Sequence, residues 1–166
     1  MHQALSQDPD NPDVYQTFAS VRISQCNIPQ ATTLLCTGMD LWFKEPQDNS
    51  PLLPLPDWPA YNSRLGLARL LLEVEQYDRA LMAIQSCMVE NDEDADVWYL
   101  FGFCYYTMVM SSEVHDDKQE IITDSKECFS RVLQVLQLTQ LAEQFDVDPE
   151  MAGHASSLLQ ELQDLN

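Results

Sequence analysis

Apolar residues recur along this chain every three to four positions, the spacing of a helix face, not the alternation of a half-buried strand. The stripe runs through residues 13–43 (DVYQTFASVRISQCNIPQATTLLCTGMDLWF) and 61–88 (YNSRLGLARLLLEVEQYDRALMAIQSCM). It returns in 96–107 (DVWYLFGFCYYT) and 123–136 (TDSKECFSRVLQVL). Near the end, Met151, Ala155, Leu158, Leu159 and Leu162 share one face, which predicts an amphipathic terminal helix over 148–165. Asn11-Pro12-Asp13, Asp57-Trp58-Pro59 and Asp148-Pro149-Glu150 each offer a capping side chain followed by proline, the mark of a helix start. Only four glycines are present, too few for a turn-rich β architecture. The pattern predicts an all-α chain of seven or eight helices without a sheet.

The stripes also repeat. Trp98 stands at a first-helix Trp position and Arg64 at the same position one unit earlier; 98 minus 64 is 34, the period of the tetratricopeptide repeat, a helix–turn–helix unit. Leu67, Ala68 and Leu71 take the Leu, Gly and Tyr positions, Ala80 the small position where the second helix meets the first, and Ile84 and Cys87 follow. The Trp98 unit continues with Phe101, Gly102 and Tyr105; Tyr15, Phe18, Ala19, Ala31, Leu35 and Gly38 fill the first unit. Small residues belong where two helices cross closely and large ones where they interlock.

The chain therefore reads as one domain, residues 1–166, a right-handed superhelix of antiparallel helix pairs. A partial repeat (1–10) precedes a repeat at 11–43, a proline-rich insertion at 44–59, a repeat at 60–93, a repeat with its own insertion at 94–138, and the terminal helix, which caps the stack. The proline-rich insertion is an extended loop pinned by Leu52, Leu53, Leu55 and Trp58. SSEVHDDKQEIITD lengthens the passage between the helices of the last repeat. Ala4 and Pro9 fall on late positions of a preceding repeat, so residues 1–9 are expected to be the end of a unit whose first helix lies upstream.

Charge narrows the partners. The net charge of −19 repels nucleic acid and anionic lipid and attracts basic proteins from a distance. The five cysteines form no Cys-x-x-Cys pair, lie in apolar stretches and read as small buried hydrophobes suited to a reducing compartment. His2, His115 and His154 read as solvated surface histidines, none at metal-ligand spacing, and the acidic run 90–96 lacks the glycine and terminal glutamate of a calcium loop. No glycine-rich phosphate loop or nucleophile motif occurs. The expectation is a non-enzymatic protein without cofactor or metal that binds another protein, with no nucleic-acid or membrane partner.

The inner faces of first helices in such stacks line a groove for an extended segment. The register puts Asp13, Gln16 and Ser20 there from the first unit, Asn62, Leu65, Arg69 and Glu73 from the second, and Asp96, Tyr99, Phe103 and Tyr106 from the third. Acids and aromatics suit a basic peptide with apolar anchors; Phe103 and Tyr106 are equally readable as core.

NPDVYQTFASVRISQCNIPQATTLL, SRLGLARLLLEVEQYDRALMAIQSCMVENDEDADVWYLFGFCYY and CFSRVLQVLQL together resemble one family, the dedicated assembly chaperones of the fourth large-subunit ribosomal protein. The resemblance covers nearly the whole chain. It implies an ATP-independent chaperone of ribosome biogenesis, in cytoplasm and nucleus, whose repeats capture a long basic internal loop of the new ribosomal protein. It carries client contact to Asp96, Trp98 and Tyr99. Family members are longer, with further N-terminal repeats, and their Gly-Gly after the Trp-Tyr-Leu run is Phe101-Gly102 here. A monomer is the expectation for the full-length protein. The alternative left open is a scaffold or adaptor subunit of a larger complex with no chaperone role.

Overall fold

A computed structural model describes residues 8–45, 51–111, 117–141 and 149–165. The described residues hold seven α-helices and no strand: α1 (Pro12–Ser24), α2 (Ile28–Asp40), α3 (Tyr61–Glu73), α4 (Tyr77–Met88), α5 (Ala95–Met110), α6 (Lys118–Leu141) and α7 (Pro149–Asp164). The expectation that residues 1–9 form a helical end lies largely outside them. None of the described helices is long and apolar enough to cross a membrane. The chain divides into two compact units, one up to Glu90 and one from Asn91 onward.

In the first unit α1 packs on α2 and α3 on α4, and α3 leans on both helices of the preceding pair. The two pairs repeat one another at a constant residue offset. Ala19 matches Ala68, Ala31 matches Ala80 and Leu35 matches Ile84, and all six are fully buried. The turns match too. Cys26 and Glu75 both take positive φ, 56° and 59°, just past the C-caps of α1 and α3. In each turn the next amide (Asn27, Gln76) donates to the carbonyl five residues back (Arg22, Leu71), and the positive-φ amide donates to the carbonyl three back (Ile23, Leu72). This is the paired hydrogen-bond closure that satisfies the last carbonyls of a helix. Cys26 is therefore exposed, not a buried hydrophobe as its apolar neighbours predict; Cys87, Cys104 and Cys128 are buried and Cys36 is half-buried.

Asn11 caps α1 by accepting from the Asp13 amide. Asn27, a start the sequence pattern did not flag, caps α2 by accepting from the Gln30 amide. The start expected at Asp57-Trp58-Pro59 comes later: α3 begins at Tyr61 behind Ala60, with no side-chain cap. The reason is Trp58, whose ring packs edge-on against Trp42 at 5.9 Å and lies 5.0 Å under the Arg64 guanidinium. The chain turns there, with the Trp58 amide donating to the Leu55 carbonyl at 3.1 Å, and the helix starts beyond it.

Arg64, which the sequence register set at the Trp position of a repeat, is buried to 2% exposure. Its Nε donates to the Pro59 carbonyl at 2.9 Å, one Nη donates to the Ser86 carbonyl and the other to the Glu90 carboxylate. A single side chain thus joins the end of the proline-rich segment, the start of α3 and the end of α4. Arg79 ties α4 to α2 through Asp40 at 2.7 Å.

In the second unit α5 packs on α6 and α6 on α7. Gly102 makes the α5–α6 crossing close. A Cβ there would stand 3.1 Å from the Cβ of Cys128 and from the Phe129 ring, and the Ser125 hydroxyl donates to the Gly102 carbonyl at 2.9 Å. Helix α6 is longer than 123–136, because Lys118–Thr123 contain no breaker and Ile122 continues the buried stripe Ser125, Phe129, Val132 one turn earlier. Half of the passage expected as insertion is helix. Ala155, Leu158 and Leu162 of α7 bury into the same core as Val109, Ile122, Phe129 and Val132.

Candidate protein-binding face

The residues assigned to the inner faces of first helices do not form one uniform surface. On α1, Asp13 and Ser20 are exposed and Gln16 is half-buried, its amide oxygen 3.7 Å from where a Cβ of Gly66 would stand, so this face looks toward α3. On α3, Asn62, Arg69 and Glu73 are exposed, whereas Leu65 is buried at 5% exposure and belongs to the core.

On α5 the spacing of Tyr99, Phe103 and Tyr106 puts them on one face, and their rings stack in sequence. Tyr99 and Phe103 lie 6.0 Å apart with planes 7° off parallel; Phe103 and Tyr106 lie 6.4 Å apart at 19°. Asp96 stands one turn before Tyr99 on that face, its amide donating to the Asp94 carboxylate that caps the helix. Trp98 points elsewhere. Its indole N–H donates to the Asp92 carbonyl at 2.6 Å and its ring sits 5.8 Å under the Arg131 guanidinium, so it belongs to the α5–α6 contact and the acidic turn.

Whether Phe103 and Tyr106 are groove or core has a mixed answer: all three rings are half-buried, and α7 reaches them. The Tyr99 hydroxyl lies 2.7 Å from His154 Nδ1, and the His154 ring is 5.9 Å from Tyr99 and 6.4 Å from Phe103. The Tyr106 hydroxyl donates to the Glu161 carboxylate at 2.6 Å. Sequence reading missed His154 and Glu161. Their seven-residue spacing on one face of the terminal helix was the available signal, but only tertiary structure says which stripe that face meets.

The phenols stay protonated at physiological pH and above it. Hydrogen bonding to Glu161 pushes Tyr106 up to about 12, with burial adding to it, and burial raises Tyr99. The face therefore offers stacked neutral rings bounded by the carboxylates of Asp96 and Glu161. Aromatic faces attract ammonium and guanidinium groups, and carboxylates pair with them. Among the described residues no group of three or more His, Cys, Asp and Glu stands together to hold a metal.

No protein-family model matches the chain. Two curated proteins do. Over 117 residues, 70% of this chain, it is 32% identical to "Probable assembly chaperone of rpl4" of Emericella nidulans. Over 122 residues, 73% of this chain, it is 32% identical to the protein of the same name in Schizosaccharomyces pombe. The chain is a sequence relative of the rpl4 assembly chaperones. It spans 29% and 35% of the length of these two chaperones, so the similarity covers most of this chain and about a third of each of them.

Proposed function

We propose that this chain is the client-binding part of a dedicated assembly chaperone for the rpl4 ribosomal protein, and that it holds a basic extended segment of that client. The observation that carries the proposal is the similarity to two proteins named for that role, over 70% and 73% of the chain. Charge supports it. Residues 80–117 carry eight acids and residues 132–166 six, with no Lys or Arg in either stretch. The helix pairs in this reading are tetratricopeptide-type units of a single right-handed repeat domain, 1–166, whose first helices offer Asp13, Gln16, Asn62, Arg69, Glu73, Asp96 and the aromatic face of α5 to the client. Binding is stoichiometric and needs no catalysis, and it serves the client from cytoplasm to nucleus.

The mechanism has two stages. A basic segment is steered by the long-range field and then held by stacking on Tyr99, Phe103 and Tyr106. The test is titration of the chain with the rpl4 protein, whole and with its basic internal loop deleted, across a salt series. A one-to-one complex is expected that weakens as salt rises, because exposed charges are screened over about 8 Å at physiological ionic strength. Loop deletion should abolish it. Asp96→Arg should slow association and flatten the salt dependence. If neither this chain nor a longer form with further N-terminal repeats binds the whole client at low salt, the proposal fails.

A further inference from the structure

One exposed segment of the first unit is not used by the client-binding reading. Residues 51–56, Pro-Leu-Leu-Pro-Leu-Pro, contain no charged or polar side chain and lie outside any helix. Prolines 51, 54 and 56 fix φ near −65° and carry no N–H to donate. The residue before a proline is pushed out of the helical region, so Leu53 and Leu55 are confined as well. These restrictions favour left-handed polyproline II geometry, three residues per turn, over residues 51–54, ahead of the turn that the Trp58 amide closes on the Leu55 carbonyl.

Exposure fits that period over residues 51–54 only; Leu55, which would share the side of Leu52, is exposed because the chain turns at 55–58. Leu53 is 65% exposed and Leu55 46%, the largest and one of the larger values among the exposed apolar side chains. The three prolines are exposed too, while Leu52 is half-buried against the unit. In a three-residue turn Pro51 and Pro54 share one ridge, Leu53 sits on the next, and Leu52 takes the third side. The side turned inward is thus the one that a reader of Pro-x-x-Pro does not need. Just past the segment, Trp58 holds the chain to the unit through Trp42 and the Arg64 guanidinium. Single exposed leucines are ordinary on a protein surface; six consecutive uncharged residues, three of them prolines, are not.

We propose that residues 51–56 are a docking segment for a polyproline-reading domain, one whose groove is lined by aromatic side chains and whose rim is basic. Such grooves accept a preformed rod because little conformational entropy remains to be lost on binding. The basic rim follows from charge. Asp57 follows the segment directly and is exposed, on a chain of net charge −19. A groove with an acidic rim would be repelled. This second binding activity does not depend on client capture.

The test uses the full chain, immobilised, against purified SH3, WW and EVH1 domains whose groove rims carry Lys or Arg, and against acidic-rimmed members of the same classes. At least one basic-rimmed domain should bind saturably and the acidic-rimmed ones should not. The double substitution Pro51→Ala with Pro54→Ala should weaken binding about tenfold or more while far-UV circular dichroism and the thermal midpoint stay unchanged. Asp57→Lys should weaken the basic-rimmed interaction without touching either proline. Binding by none of these domains overturns the proposal. So does binding that survives the double proline substitution, or binding that prefers acidic rims.

Discussion

Replacing Arg64 by alanine should unfold the first unit at much lower denaturant, and the structure sets the size of the effect. The side chain is buried to 2% and hydrogen-bonds the Pro59 carbonyl, the Ser86 carbonyl, the Ser86 hydroxyl and the Glu90 carboxylate. It also lies over the Trp58 and Tyr61 rings at 5.0 and 5.8 Å. Hydrogen bonds to a charged group contribute about 1.5–3 kcal/mol each. The Glu90 pair contributes far less than a buried one, because Glu90 is 48% exposed and its carboxylate rehydrates when the partner leaves. What remains is the loss of two carbonyl partners, one of them deep, and of the packed stem, about 3–5 kcal/mol in all. With a urea dependence of about 2 kcal/mol per molar, the midpoint should fall by about 1.5–2.5 M. Tryptophan emission in a Trp98→Phe background follows the first unit alone through Trp42 and Trp58, and its shift to the red should accompany the loss. Arg64→Lys should fall between, since an ammonium cannot reach the three directions that the guanidinium spans. Glu90→Gln should cost about 1 kcal/mol or less. The reasoning is refuted if Arg64→Ala stays within about 1 kcal/mol of the parent, or if Glu90→Gln costs as much as Arg64→Ala.

Other perturbations read different parts of the molecule. Gly102→Val should overpack the α5–α6 crossing, where even a Cβ would stand 3.1 Å from Cys128 and Phe129; chemical denaturation should show a loss of about 1–3 kcal/mol, whereas an unchanged midpoint would mean the helices can separate freely. Glu75→Gly relieves a φ of 59° and should raise stability by about 0.5–1 kcal/mol, measured the same way; a loss would show that the side chain does more than tolerate the turn. Tyr106, raised from 10.0 to about 12, contributes stability that is whole below pH 10 and is lost as pH climbs through 12. Burial pushes Tyr105 up to about 12 as well, so phenolate absorbance should show two late-ionising groups, of which one is lost in Tyr106→Phe and one moves toward 10 in Glu161→Gln; no change in Glu161→Gln would refute the assigned cause.

The helices themselves were legible in the sequence, because each is amphipathic and local patterns set them. Ala19, Ala31, Ala68 and Ala80 were readable as crossing positions since a small residue in a 3.6-residue stripe has one common use, and all four are fully buried. The all-helical architecture follows from such short-range information. Boundaries governed by long-range contact were not legible. The Asp57-Trp58-Pro59 start failed because Trp58 is drawn to Trp42 and Arg64, partners sixteen and six residues away, and that contact outweighs a local capping preference. Lys118–Thr123 became helix because Ile122 had a core to enter. The candidate binding face divides in the same way. Its membership on α5 came from spacing, which places Tyr99, Phe103 and Tyr106 together on any helix. Periodicity could not separate Trp98, one residue from Tyr99, whose indole is committed to the Asp92 carbonyl and Arg131. Nor could it reveal that His154 and Glu161 close one side of the face, since a residue's own stripe fixes where it points along its helix, and only the packing of α7 decides what it meets.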